Sequence, residues 1–182
     1  MRIVAGTHGS RVLKTLPGQT TRPTTDKVRG AIFSKIGPYF DGGTFLDVFG
    51  GSGAMALEAI SRGMHAATII EKDSRALKVI QDNVKTLNVT PQVTVQKGDA
   101  LTVTKRLFGT FDVIFMDPPY AYTELPGVFQ NLIDGNLLHP DSIVIVEMDS
   151  RADLMDQIGD WQCYDTKSYG ISKVKFYEHA PQ

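Results

Sequence analysis

The chain has 182 residues, is 42% hydrophobic and carries a formal net charge of −1, which suits one domain with a sizeable core. No apolar run approaches the length of a membrane span, and the N-terminus shows no signal-peptide core. The single cysteine, Cys163, excludes an internal disulfide framework and fits a reducing cytoplasm, while His8, His65, His139 and His179 are scattered, so no metal site is expected.

The charge is unevenly spread. Residues 1–40 hold Arg2, Arg11, Lys14, Arg22, Lys27, Arg29 and Lys35 against Asp26 alone, a net of +6, and residues 41–182 carry −7. A basic arm on an acidic body is a footprint for a polyanion. Arg2-Ile3-Val4-Ala5-Gly6 and Arg11-Val12-Leu13-Lys14 read as two short strands around Thr7-His8-Gly9-Ser10. Two strands alone are marginally stable, so this hairpin is expected to pack on the main domain or to order on a partner. Residues 1–20 are therefore read as an appendage to a domain spanning 21–182.

Thr24 or Thr25 can cap a helix whose apolar positions Val28, Ile32 and Ile36 recur every four residues, and Gly37-Pro38 stops it. From Thr44 the pattern alternates. Apolar runs at 44–49, 67–70, 93–95, 111–116 and 143–146 precede helix-like segments near 53–63, 73–87, 100–107, 125–134 and 151–158. Such alternation predicts right-handed crossovers and a mostly parallel sheet with helices on both faces. Trp161-Gln162-Cys163-Tyr164 and Lys173-Val174-Lys175-Phe176-Tyr177 flank Tyr169-Gly170 with no helix between, which predicts a closing antiparallel hairpin.

The first run breaks into glycines: Phe45-Leu46-Asp47-Val48-Phe49-Gly50-Gly51-Ser52-Gly53, followed by helical Ala54-Met55-Ala56-Leu57. A strand, a glycine turn and a helix present backbone N–H groups with no side chains in the way, a place for the polar end of a nucleotide-like ligand. Carboxylates then recur at strand ends. Asp47, Glu71, Asp99 and Asp117 close or follow four consecutive runs, on the edge of an open α/β sheet where ligands bind. After Asp117 comes Pro118-Pro119-Tyr120. The prolines stiffen the turn, remove two backbone donors and leave carbonyl oxygens facing outward. A carboxylate, a free carbonyl and an aromatic plane are what the exocyclic amine of a planar base needs.

With these residues the chain resembles the Rossmann-like class I S-adenosylmethionine-dependent methyltransferases. More closely, it is similar to the bacterial 16S rRNA (guanine-N2)-methyltransferase family, small-subunit type D. Thr21-Arg22-Pro23-Thr24-Thr25-Asp26-Lys27-Val28-Arg29 is the most family-specific stretch, and Leu57-Glu58-Ala59-Ile60-Ser61-Arg62-Gly63 also fits. The family usually has alanine in place of Gly50, a mild change, and glutamate in place of Gly30.

The resemblance implies a seven-stranded sheet with the terminal hairpin and the N-terminal appendage, acting as a cytoplasmic monomer on 16S rRNA or the assembling small subunit. It implies that Gly50, Gly51 and Gly53 hold the methionine part of S-adenosylmethionine, with Asp47 near its amino group. Glu71 would take the ribose hydroxyls, and Asp99 with the Ala100 backbone the adenine edge. Asp117 and the Pro118 carbonyl would bind the target amine with Tyr120 stacked on the guanine, and Arg2, Arg11, Lys14 and Arg22 would contact RNA. Four rivals share parts of this pattern. DNA adenine-N6 or cytosine-N4 methyltransferases usually need an added recognition domain. Protein glutamine methyltransferases carry Asn where Asp117 stands. An inactive nucleotide-binding module could dispense with Asp117 and Tyr120. A dehydrogenase lacks support near the turn.

Overall fold

The computed structural model describes residues 1–17 and 24–181. Gly18, Thr21, Arg22 and Pro23, all used in the sequence reading, lie outside the described residues. The sheet is built from β1 (Thr44–Asp47), β2 (Ala66–Glu71), β3 (Val93–Lys97), β4 (Phe111–Met116), β5 (Leu138–Asp149), β6 (Gln157–Ile158), β7 (Trp161–Tyr169) and β8 (Ser172–His179). The helices are α1 (Asp26–Ile36), α2 (Ala54–Ser61), α3 (Ser74–Thr86), α4 (Ala100–Arg106) and α5 (Leu125–Asp134). The strand order is β3-β2-β1-β4-β5-β8-β7-β6. The first five strands pair in parallel, and β8, β7 and β6 add antiparallel. Chain direction reverses outward from β1 and β4, so a crevice opens beyond their carboxyl ends.

Two apolar layers cover the sheet. Ile32 and Phe33 of α1, Ala56 and Leu57 of α2 and Ile80 of α3 pack with Phe45, Ile69 and Phe115 on one face. Ala100 and Val103 of α4 and Val128, Phe129 and Leu132 of α5 pack with Leu46, Ile114 and Val144 on the other. Strands covered on both sides need near-continuous apolar runs, which is why Phe111–Met116 and Ile143–Val146 read so clearly.

Three expectations need correction. The sheet has eight strands, one more than expected, because Gln157–Ile158 pairs with Trp161–Gln162. The segment 151–158 is not helical: its carbonyls find partners elsewhere, Leu154 from the Lys175 ammonium and Met155 from the Tyr177 hydroxyl at 2.8 Å. Those bonds replace the helical ladder. The N-terminal strands reduce to one bridge, Arg2 with Val12. The segment is fastened to the body instead: Ile3 and Leu13 enter the first core layer, and the Val4 and Ala5 amides donate to Glu58 at 2.9 and 3.1 Å.

Candidate active site

The sheet's register explains how the carboxylates meet. Asp47 lies beside Ile69 on β2 and Phe115 on β4. Side chains alternate along a strand, so Glu71 and Asp117, two residues further on, share the face of Asp47 one step beyond it. All three line one cavity of about 590 Å³, together with Gly50, Gly51 and Asp99.

The glycine turn forms the cavity floor. Gly51 adopts φ +58° and Gly53 +83°, conformations that glycine enters without the penalty a Cβ imposes. Nothing lies within 4 Å of where a Gly51 side chain would start, so its surface is open. Gly50 is different: a Cβ there would come within 2.3 Å of the buried Ile69 Cγ2. Glycine at position 50 is therefore required by this packing, and the exchange for the family's alanine is not a mild one here. Gly53 is the N-cap of α2 without a side-chain cap, which leaves the first-turn amides directed at the site.

Asp47 is 1% exposed and its Oδ1 has no hydrogen-bond partner. Burial, reinforced by the Glu71 carboxylate and opposed by the Ala56 amide, holds its pKa well above the ordinary carboxylate value. Glu71 accepts from the Gly51 amide at 2.8 Å and from the Lys72 and Asp73 amides at 3.0 Å each. The Glu71 carboxylate thus shapes the turn as well as lining the cavity. Asp99 caps α4, accepting from the Leu101 amide at 3.0 Å through Oδ2.

The exit of β4 supplies the other wall. Asp117 is half-buried, and Pro118, Pro119 and Tyr120 follow it along the cavity. Tyr120 is 70% exposed, with the Arg151 guanidinium 5.2 Å from its ring centroid and Asp149 holding Arg151 at 2.9 Å. An exposed ring fixed by a neighbour suits stacking.

Four cavity residues escaped the sequence reading of the site. Thr24 was weighed only as a cap. Thr25 makes the cap, accepting from the Val28 amide at 3.2 Å, and Thr24 Oγ1 lies 2.6 Å from Glu147 Oε1 and 3.4 Å from Asp117 Oδ2. Glu147, 4% exposed, closes β5 as Asp117 closes β4, and that parallel was a usable signal in the sequence. Phe49 and Tyr122 meet edge to face at 5.0 Å. Burial, with Asp99 and Glu124 nearby, pushes the Tyr122 hydroxyl up to about 12, so it remains a donor.

The RNA-binding candidates sit apart from the sheet edge but not far from the cavity, since Met1 and Leu16 both line it. Arg2 reaches the Ser10 carbonyl at 3.1 Å, Arg11 the Thr86 carbonyl at 2.9 Å, and Lys14 pairs with Asp82 at 3.2 Å. Arg22 lies outside the described residues. Arg29, counted among the basic arm, is fully buried against Glu58. Among the described residues no cluster of His, Cys, Asp and Glu has a metal-holding arrangement, and no helix is long and apolar enough to cross a membrane.

The profile of the family described as "Conserved hypothetical protein 95" matches residues 1–178. The chain belongs to this family. Over 98% of its length it is 37% identical to YlbH of Bacillus subtilis, an rRNA methyltransferase candidate, covering 98% of that protein. It is 30% identical to the ribosomal RNA small subunit methyltransferase D of Haemophilus influenzae, again over 98% of this chain and 94% of that one. Among solved structures, the Escherichia coli methyltransferase candidate yhhF superposes with a TM-score of 0.85 at 30% identity, covering 100% of this chain and 99% of the other. The fold of this family member is the Rossmann-like fold of class I methyltransferases.

Proposed function

We propose that the protein methylates the exocyclic N2 amine of a guanine in 16S rRNA of the small ribosomal subunit, in the cytoplasm, with S-adenosylmethionine as donor. One observation carries this reading: the Asp47–Gly53 turn and the Asp117–Tyr120 exit line the same cavity from adjacent strands. The family relatives named as rRNA methyltransferases support it.

The cavity fits the cofactor. Asp47 presents a buried oxygen in need of a donor, which an ammonium group supplies, and the uncovered Gly51 surface accepts close approach. Glu71 is placed for the ribose hydroxyls, and Asp99 with the Ala100 backbone for the adenine edge. When bound, S-adenosylmethionine supplies a methyl made electrophilic by its sulfonium.

The chain's own residues prepare the amine. Guanine N2 is a poor nucleophile because its lone pair is delocalised into the ring. Asp117 and the Pro118 carbonyl accept its two N–H bonds and localise that lone pair, and Tyr120 stacking holds the base in line. Positive charge grows on N2 as its new bond to carbon forms, and Asp117 is placed to stabilise that charge and accept the surplus proton. A base inside a duplex cannot enter such a cavity, so the guanine is presented from a loop or flipped out.

The test is transfer of labelled methyl groups into small subunits or 16S rRNA from cells lacking this gene, followed by nucleoside analysis. N2-methylguanosine is expected. Labelled methyladenosine, methylcytidine or methylglutamine as the product would refute the reading.

A further inference from the structure

The fifth strand adds a second carboxylate beside Asp117 that the mechanism above does not use. β4 and β5 run parallel with Met116 beside Val146, so Asp117 and Glu147 project side by side from one face. The Thr24 hydroxyl spans them, 2.6 Å from Glu147 Oε1 and 3.4 Å from Asp117 Oδ2. Glu147 is 4% exposed and lines the cavity together with Asp117, Pro118 and Tyr120. An ionised carboxylate only accepts hydrogen bonds, and keeping one at a dry sheet edge is costly unless donors meet it.

Guanine has the matching edge. Its ring N1–H stands next to its N2 amine, two donors side by side. Adenine and cytosine offer an amine next to a ring nitrogen that is an acceptor, and uracil has a ring N–H between two carbonyls. Resting on the guanine-N2 reading, the geometry points to Glu147 as the residue that selects the base: it accepts the hydrogen bond from guanine N1–H while Asp117 engages N2. Thr24 is a positioning residue that fixes the spacing of the two carboxylates. A ring nitrogen bearing a lone pair faces the Glu147 carboxylate acceptor to acceptor, and a site built for a hydrogen bond rejects such an analogue strongly.

The experiment separates base selection from chemistry with 2-aminopurine, which keeps the N2 amine but has an acceptor at N1. RNA carrying guanine or 2-aminopurine at the methylated position is assembled into small subunits, and single-turnover methyl transfer is measured for wild type, Glu147→Gln and Thr24→Val. Wild type is expected to prefer guanine by at least 100-fold. Glu147→Gln, whose amide can donate to the N1 lone pair, is expected to shrink that preference at least tenfold, with melting temperature and cofactor affinity unchanged. Thr24→Val is expected to shrink it less. Equal transfer to both bases by wild type, or an equal loss on both in Glu147→Gln as for a proton acceptor, overturns the assignment. Absence of N2-methylguanosine on the guanine substrate with wild type instead defeats the guanine-N2 reading itself, and this inference with it.

Discussion

Asp47 is the residue whose ionisation should report on the cofactor. Burial and Glu71 raise its pKa, so the folded, ligand-free protein keeps this proton to higher pH than the unfolded chain does. Its contribution to stability is full below the ordinary value of 3.8 and is lost as pH rises through the raised value. A bound cation draws the pKa back down, so cofactor binding releases a proton in that window and affinity climbs with pH across it. Asp47→Asn should keep the ligand-free protein stable as pH rises, weaken cofactor binding and remove the slope. Calorimetry in buffers of different ionisation heat counts the protons, and equal release by wild type and variant would contradict the assignment. Asp117→Ala should leave cofactor binding largely intact while lowering turnover about 100- to 1000-fold, the usual cost of one preorganised electrostatic contact. Single-turnover transfer measures it, and wild-type rates in the variant would remove Asp117 from the chemistry. Gly50→Ala should cost about 1–3 kcal/mol in chemical denaturation, because Ile69 Cγ2 stands 2.3 Å from the new Cβ.

Between elements, the strongest tie is the carboxylate of Glu58 in mid-α2. It accepts from Arg29 Nε at 3.0 Å and Arg62 Nε at 2.7 Å, as well as from the Val4 and Ala5 amides. One buried anion thereby joins α1, α2 and the N-terminal segment. Removing one partner of a buried ion pair strands the others in low dielectric and costs about 3–5 kcal/mol. Glu58→Ala should fall in that range by denaturant unfolding and should raise amide exchange at Val4 and Ala5 before the sheet loosens; a loss under about 1 kcal/mol would show that water replaces the carboxylate. Sequence patterns could not show this clip. Arg29 follows the charge rhythm of a solvated helix face, and only the chain's return path puts Glu58 against it. Strands and helices with apolar cover on both sides were legible because burial writes itself as hydrophobic runs. The 151–158 segment was misread because Leu154, Met155 and Ile158 mimic a helical stripe, while its real partners, Lys175 and Tyr177, lie about twenty residues on. Of the site, Asp47, Glu71, Asp99 and Asp117 were legible as strand-end carboxylates. Thr24 was not, because its role depends on where α1 sets its first turn against β4 and β5.

On the scale of the whole molecule, the question is how much of the N-terminal +6 charge can meet RNA. The structure removes Arg29 from that sum, since it is buried on Glu58. Lys14 and Lys35 are offset by Asp82 and Asp165, at 3.2 and 2.6 Å. Arg2 and Arg11 are exposed and donate only to backbone carbonyls in the contacts above, so their charge is kept. Both lie on the segment that borders the cavity through Met1 and Leu16, well placed to hold phosphates while a base enters. Each neutralised phosphate releases counterions, so the affinity for RNA falls with salt in proportion to the number of such contacts. Arg11→Glu should raise the apparent Michaelis constant for RNA and reduce the salt slope by about one, leaving cofactor affinity unchanged. Lys14→Glu should do less to the slope, because Asp82 already cancels much of that charge, and should lower stability slightly by placing two carboxylates together. Filter binding across a salt series with both variants distinguishes these outcomes. If Lys14→Glu flattens the slope as much as Arg11→Glu, the Lys14–Asp82 pair opens on RNA. If neither changes it, phosphates are held elsewhere and the N-terminal segment serves only to close the core.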